Sequence, residues 1–286
     1  MMYKISVRKP VQFFLKIFVV RVALLLFLSN SSWALVSAQV AIYNDTGTSG
    51  GGAWLTGINS IKDMLYTYGY SYTDISPSQI NSTSSLNNYY NVILFPGGWA
   101  GSYNNLLNGA GRNNLRKFVR NGGGYFGTCA GAFHACDIVK WTPYSGSSTS
   151  TYNYPLNLYL GKCHGSINEI IAWTTSTGCG GAAPKKGAKM TNIKVNTSAL
   201  PGVNRNTSIL YYGGSWFDNT SGVTVMASYD VPGSPAHNKP AMIKYNYGQG
   251  KVFLTGPHPE VSMSGCKLFY SSNNWYLMHK VLQQLM

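Results

Sequence analysis

The chain has 286 residues, 44% hydrophobic and only 10% charged, with 22 Lys and Arg against 8 Asp and Glu, a formal net charge of +14. That length permits one domain of roughly 250 residues with a full core of its own, and the apolar content excludes a disordered polyelectrolyte. The basic residues are scattered, the tightest group being Lys185, Lys186 and Lys189, which argues against the continuous basic stripe of a nucleic-acid binder.

The first 38 residues read as an export signal. Lys4, Arg8, Lys9, Lys16 and Arg21 precede the apolar run Val22–Leu28, and Val36-Ser37-Ala38 places small residues where a signal peptidase cuts. Cleavage there makes residues 39–286 a single periplasmic or extracellular domain; the alternative is an uncleaved membrane anchor over residues 11–28. Without those five basic residues, 17 Lys and Arg remain against 8 Asp and Glu, an excess that favours association with anionic envelope surfaces.

Residues 39–43 read as a strand, and a Gly-rich turn over 44–52 leads to a helix over 53–68 with Leu55, Ile58, Ile61 and Leu65 on one face. Gly69 stops this helix, and residues 70–75 form the next strand, completing a strand–helix–strand unit of a parallel sheet. The turn is neither G-x-G-x-x-G nor a P-loop with its Lys, so no nucleotide cofactor is expected. Open parallel sheets bind ligands beyond the carboxyl ends of their strands, which makes Asn44 and Asp45 candidate substrate contacts, with helix capping the alternative for Asp45.

Residues 91–95 are apolar throughout, as in a central strand covered on both faces, and run into Pro96-Gly97-Gly98-Trp99. A helix over 103–119 follows, with Leu106, Leu115, Phe118 and Val119 inward and Asn121-Gly122 at its end. It delivers the chain to Gly123-Gly-Tyr-Phe126-Gly127-Thr-Cys129-Ala130-Gly131, a short strand, a sharp turn and a new helix. Glycines two positions either side of a small nucleophile are what a strained strand–turn–helix elbow needs, because neighbouring Cβ atoms would collide. At a helix start the macrodipole and unpaired N–H groups favour negative charge, on a thiolate or on a developing oxyanion. Cys129 is therefore a candidate nucleophile, against the plainer reading of a buried structural Cys in a tight turn.

Beyond the elbow, Ser, Thr, Tyr and Gly dominate. Strands are expected at 156–161 and 169–174 between loops at 141–155 and 178–187, an inserted antiparallel excursion or lid over the site. Further strands are expected at 190–195, 207–212, 223–229, 241–247 and 251–254, with Gly248-Gln-Gly250 turning between the last two. Then comes Thr255-Gly-Pro-His258-Pro259-Glu260. A thiol needs a base and the base an orienting group, and His258 and Glu260 supply both on a stiff link. A terminal helix is expected over 263–286, with Gly265 and Ser271–Asn274 as candidate breaks.

Taken in order, Pro96-Gly97-Gly98, Gly127-Thr-Cys129-Ala-Gly131 and His258-Pro-Glu260 resemble the class I glutamine amidotransferase superfamily, whose triad is Cys, His and Glu. More narrowly, Tyr43-Asn-Asp-Thr-Gly-Thr, Phe95-Pro-Gly-Gly-Trp99, Gly123–Ala132 and Leu254–Glu260 resemble the biotin-protein ligase N-terminal domain family, over a span from about residue 40 to the C-terminus. The resemblance implies an α/β, flavodoxin-like three-layer sandwich with a mostly parallel central sheet and a nucleophile elbow. It also implies an oxyanion hole made by the backbone N–H of Gly98, or Gly97, with that of Ala130. By position Gly97 and Trp99 join Asn44 and Asp45 as weaker substrate-binding candidates.

Export implies an oxidising compartment, and the five cysteines resolve as one reactive thiol, Cys129, plus two disulfides among Cys136, Cys163, Cys179 and Cys266, with Cys163–Cys179 the preferred pairing. No C-x-x-C pair points to zinc or another metal. The expected activity is a cysteine-dependent hydrolase or amidase of an amide or related acyl bond in a small-molecule, peptide or glycan-like substrate, without cofactor or obligate partner. The alternative is a non-catalytic ligand-binding module with a vestigial triad.

Overall fold

The computed structural model describes residues 37–171, 187–218, 221–265 and 267–286. In chain order, β1 (Val40–Tyr43), α1 (Leu55–Thr67) and β2 (Tyr72–Ile75) form the expected parallel unit, with Val40 opposite Tyr72 and Tyr43 opposite Ile75. The helix forms because Ile58, Ile61, Met64 and Leu65 recur on one face, and all four are fully buried. Burial of each such side chain is worth roughly 1.5–3 kcal/mol. A short helix α2 (Pro77–Ser82) escaped sequence reading although its signal is present: Ser76 and Gln79 form a reciprocal capping box with Pro at the helix start.

After β3 (Val92–Phe95) the single helix expected over 103–119 is two, α3 (Ala100–Leu106) and α4 (Gly109–Arg120). The break has a local cause. The Asn108 side chain accepts the Gly111 N–H at 2.9 Å, starting a new helix where a continuous one would have needed that backbone group differently. Then follow β4 (Gly124–Thr128), α5 (Ala130–Ala135), β5 (Cys136–Trp141), β6 (Ser150–Asn153) and β7 (Tyr159–Gly165). Strand β5 and strand β6 replace part of the expected loop, and β7 lies a few residues beyond the predicted 156–161. The strand expected at 169–174 falls partly outside the described residues; its described part is a turn.

The remaining strands are β8 (Ala188–Val195), β9 (Asn206–Tyr212), β10 (Trp216–Phe217), β11 (Thr224–Tyr229), β12 (Pro240–Tyr247) and β13 (Gly250–Thr255). The terminal helix is shorter than expected. A hairpin, β14 (Ser262–Ser264) with β15 (Lys267–Phe269), precedes α6 (Trp275–Leu285), so the Gly265 and 271–274 breaks are both used.

The main sheet has nine strands in the order β2-β1-β3-β4-β13-β12-β11-β8-β9. Its first five are parallel, in the flavodoxin-like order. From β13 onward it continues antiparallel, through β12, β11, β8 and β9. The parallel character inferred from the family pattern thus belongs to the half that carries the elbow. The inserted excursion is a second, mixed sheet in the order β10-β7-β5-β6, in which β5 and β7 run parallel.

The core lies on the parallel strands, where β1, β3 and β4 are buried along their whole length. Among the described residues no helix is long and apolar enough to cross a membrane. The export signal expected over 1–38 falls almost entirely outside the described residues.

Candidate active site

Cys129 sits between β4 and α5 with φ 50° and ψ −103°, a conformation strained for any residue with a Cβ. Its surroundings hold it there. The Cys129 N–H donates to the Thr255 carbonyl at 2.8 Å, the Gly131 N–H to Pro96 at 3.2 Å, and the Tyr125 hydroxyl to the Gly131 carbonyl at 2.8 Å. The flanking glycines are required sterically: a Cβ on Gly131 would stand 2.2 Å from the Phe95 carbonyl oxygen, and one on Gly127 would stand 2.6 Å from that of Gly131. Spacing alone predicted this elbow, and the structure contains it.

His258 follows β13 and is 1% exposed. Its N–H donates to the Leu210 carbonyl at 2.7 Å, tying it to β9. Its Nδ1 lies 2.7 Å from Glu260 Oε1, and Glu260 is fully buried. A carboxylate only accepts, so Nδ1 carries the hydrogen and Nε2 is left to face the thiol's side of the site. Burial opposes charge on the imidazole, but the charges of Glu260 and Cys129, with their hydrogen-bonding capacity, outweigh it and raise the pKa of His258 to about 10. Glu260 is anchored through its backbone: its carbonyl accepts from the Ser60 hydroxyl and, at 2.8 Å, from Trp275 Nε1.

The thiol itself is turned elsewhere. Cys129 Sγ donates to the Tyr212 carbonyl at 3.5 Å, and His258 Nε2 has no hydrogen-bond partner of standard geometry. The direct Cys129–His258 hydrogen bond expected of an assembled triad is therefore not made in this state, although Cys129 is near enough to help raise the pKa of His258. Both side chains line one hollow of about 350 Å³, and Cys129 also opens on a second of about 530 Å³. Gly98 and Ala130 line the larger hollow. Ala130 is the first residue of α5, where a helix N–H has no intrahelical acceptor. Gly98 has φ +145°, and a Cβ on it would collide with the Gly52 carbonyl at 2.1 Å.

A family model described as biotin-protein ligase, N terminal, matches residues 38–285. The chain belongs to this family. Among curated relatives of this biotin-protein ligase N-terminal chain, an uncharacterized protein of Chlamydia muridarum is 31% identical over 182 residues, 62% of this chain and 63% of that one. A biotin–protein ligase of Schizosaccharomyces pombe is 27% identical over 177 residues, 61% of this chain but 26% of the relative. The aligned region thus spans less than two thirds of either relative. Among solved structures, a cytoplasmic protein of Salmonella typhimurium superposes with a TM-score of 0.50 at 10% identity, over 86% of this chain and 98% of that one, a likeness of fold.

Within this biotin-protein ligase N-terminal fold the weaker candidates divide. Trp99 lines both hollows. Gly97 packs on the imidazole, where a Cβ would stand 2.4 Å from His258 Cε1, and its role is to admit the ring. Asn44 and Asp45 line neither hollow. The Asn44 side chain accepts from Thr46 and donates to Asp74, while buried Asp45 accepts the N–H groups of Gly52 and Ala53 at 3.1 and 2.8 Å and the Tyr43 hydroxyl at 3.1 Å. Asp45 thereby fixes the turn that hydrogen-bonds to the Gly97-Gly98 turn, Trp54 N–H to Gly97 at 2.8 Å and Trp99 N–H to Gly52 at 2.9 Å.

The disulfide preference is also corrected. Cys163 pairs with Cys136, Cα atoms 6.2 Å apart, and not with Cys179. Cys179 and Cys266 lie outside the described residues, and Cys129 is a buried free thiol.

Two site residues were missed in the sequence. Trp54 stands edge-on to His258, ring centroids 5.2 Å apart, and Tyr212 supplies the carbonyl that holds the thiol. Tyr212 had a signal: it ends a strand and precedes Gly213-Gly214, the same strand-to-diglycine pattern as Phe95-Pro-Gly97-Gly98.

Proposed function

We propose that the chain is a cysteine-dependent hydrolase of an amide or related acyl bond, exported by its N-terminal segment. The observation that carries this reading is buried His258, which is 2.7 Å from Glu260 and lines the same hollow as a cysteine on a strained elbow. On this reading Sγ leaves the Tyr212 carbonyl and its proton resides on His258 Nε2, whose raised pKa favours a thiolate–imidazolium pair. Sγ then bonds to the substrate carbonyl carbon, whose oxygen becomes an anion within reach of the Gly98 and Ala130 N–H groups. His258 returns the proton to the departing amine as the C–N bond breaks, and water, deprotonated by the same imidazole, releases the acyl group. Glu260 holds Nδ1–H throughout. The motif resemblance to Cys-His-Glu amidotransferases supports this sequence of roles.

The second reading, a ligand-binding module with an unused triad, is favoured by one observation, the thiol's hydrogen bond to Tyr212 in place of His258. A mechanism-based acyl probe separates the two. Stoichiometric labelling of Cys129, lost in His258→Ala at unchanged fold, is the expected result; labelling equal in both proteins would leave the binding module.

A further inference from the structure

The larger hollow beside Cys129 has a chemistry of its own. Among the described residues, no Asp, Glu, Lys, Arg or His lines it, although the chain as a whole carries a net charge of +14. Its wall is built from both sheets' neighbourhoods: Trp99, Asn104 and Asn105 come from the turn after β3 and from α3, and Trp141, Tyr152 and Asn153 from β5 and β6. Trp99, 53% exposed, and Trp141 meet edge to face with their planes at 84°, forming an aromatic corner. Asn104 lines the cavity, and its Oδ1 is buried without a hydrogen-bond partner. The volume of about 530 Å³ is that of a small-molecule site.

A charged group entering here would lose its water and meet no countercharge. A free amino acid, carrying both an ammonium and a carboxylate, is therefore a poor fit. A neutral sugar ring fits on three counts: its C–H faces, weakly positive, lie against the electron-rich ring faces of Trp and Tyr; its hydroxyls pair with carboxamides of the Asn type; and it carries no charge. We propose that this cavity binds an uncharged N-acylated amino sugar, with its amide directed at Cys129. The inference rests on the hydrolase reading only for that direction, since the recognition surface does not include the triad's protons.

The test uses Cys129→Ala protein, checked for an unchanged melting temperature, so that binding is read without turnover. Titration with N,N′-diacetylchitobiose, its fully deacetylated cationic counterpart and N-acetylphenylalanine amide, followed by tryptophan fluorescence and calorimetry, should show binding of the first only. Trp99→Ala and Asn104→Ala should each weaken it about 10-fold or more. Binding of the aromatic amide in preference to the disaccharide overturns the proposal in favour of a peptide ligand, and so does binding of the cationic sugar equal to the neutral one, or of none of the three. Failure of the hydrolase reading has a separate signature: the disaccharide binds, but the wild-type protein neither cleaves it nor acylates Cys129.

Discussion

Cys129→Ser should abolish turnover nearly completely, because an alcohol is far harder to deprotonate than a thiol and His258 is placed for sulfur. His258→Ala should cost about as much, since triad members act as a unit and their losses do not add. Glu260→Gln, which leaves a hydrogen-bond acceptor on the imidazole, should lose roughly 10²-fold or more and still be the mildest of the three. Rates on purified, folded variants give the ordering; a Glu260→Gln harsher than His258→Ala means His258 is not the base. Gly97→Ala should also cost about 10²-fold, because its Cβ would overlap His258 Cε1 at 2.4 Å and displace the ring by a fraction of a reacting distance. Rates unchanged in Gly97→Ala would show that the imidazole position is not limiting.

The same imidazole makes a pH prediction at the residue scale. Its pKa in the folded chain is about 10 against an ordinary 6.5, so the folded state binds its proton more tightly than the unfolded state does. The resulting stabilisation is fully present below about 6.5 and is lost as pH rises through about 10. The difference in melting temperature between wild type and Glu260→Gln should therefore be widest at about pH 6.5 and below, and narrow as pH rises toward about 10. A difference that grows with alkalinity would show that the buried pair is not ionic.

At the scale of elements, α5 links Cys129 directly to Cys136, whose disulfide to Cys163 fastens the end of that helix to β7. The bridge closes a sequence separation of 27, for which loop-closure entropy gives a stabilisation of about 3.5 kcal/mol. The double variant Cys136→Ala, Cys163→Ala should melt roughly 7–14 °C lower, and peptide mapping without reductant should recover the 136–163 bridge with Cys129 alkylatable. A Cys163–Cys179 peptide would restore the pairing preferred from spacing. The second sheet shows why its parts were hard to read. Residues 150–153 are exposed and polar at every position, so β6 carries no alternation, and only its register on β5, Trp141 opposite Ser150, makes it a strand.

Across the whole molecule, the parallel half should be the last region to open. Strands β1, β3 and β4 are buried throughout, and β13 pairs with β4 on one side and β12 on the other. Amide exchange should be slowest there and fast in β6, whose four residues are all exposed. Comparable rates in β4 and β6 would contradict this distribution of stability.

What the sequence by itself determined is local and sterically forced. The elbow, the diglycine turn and the His-x-Glu link each lie within a few residues, and each depends on where a Cβ is tolerated or how a Pro stiffens the chain. The helix break at Asn108 and the capping box at Ser76 were equally local and readable in principle. Tertiary structure alone decided that Trp54 stands against His258, that Tyr212 holds the thiol, and that Cys163 meets Cys136. These contacts join residues far apart in the chain, and their distances are set by sheet order and by β5 and β6 folding back over the elbow, which no periodicity within a segment encodes.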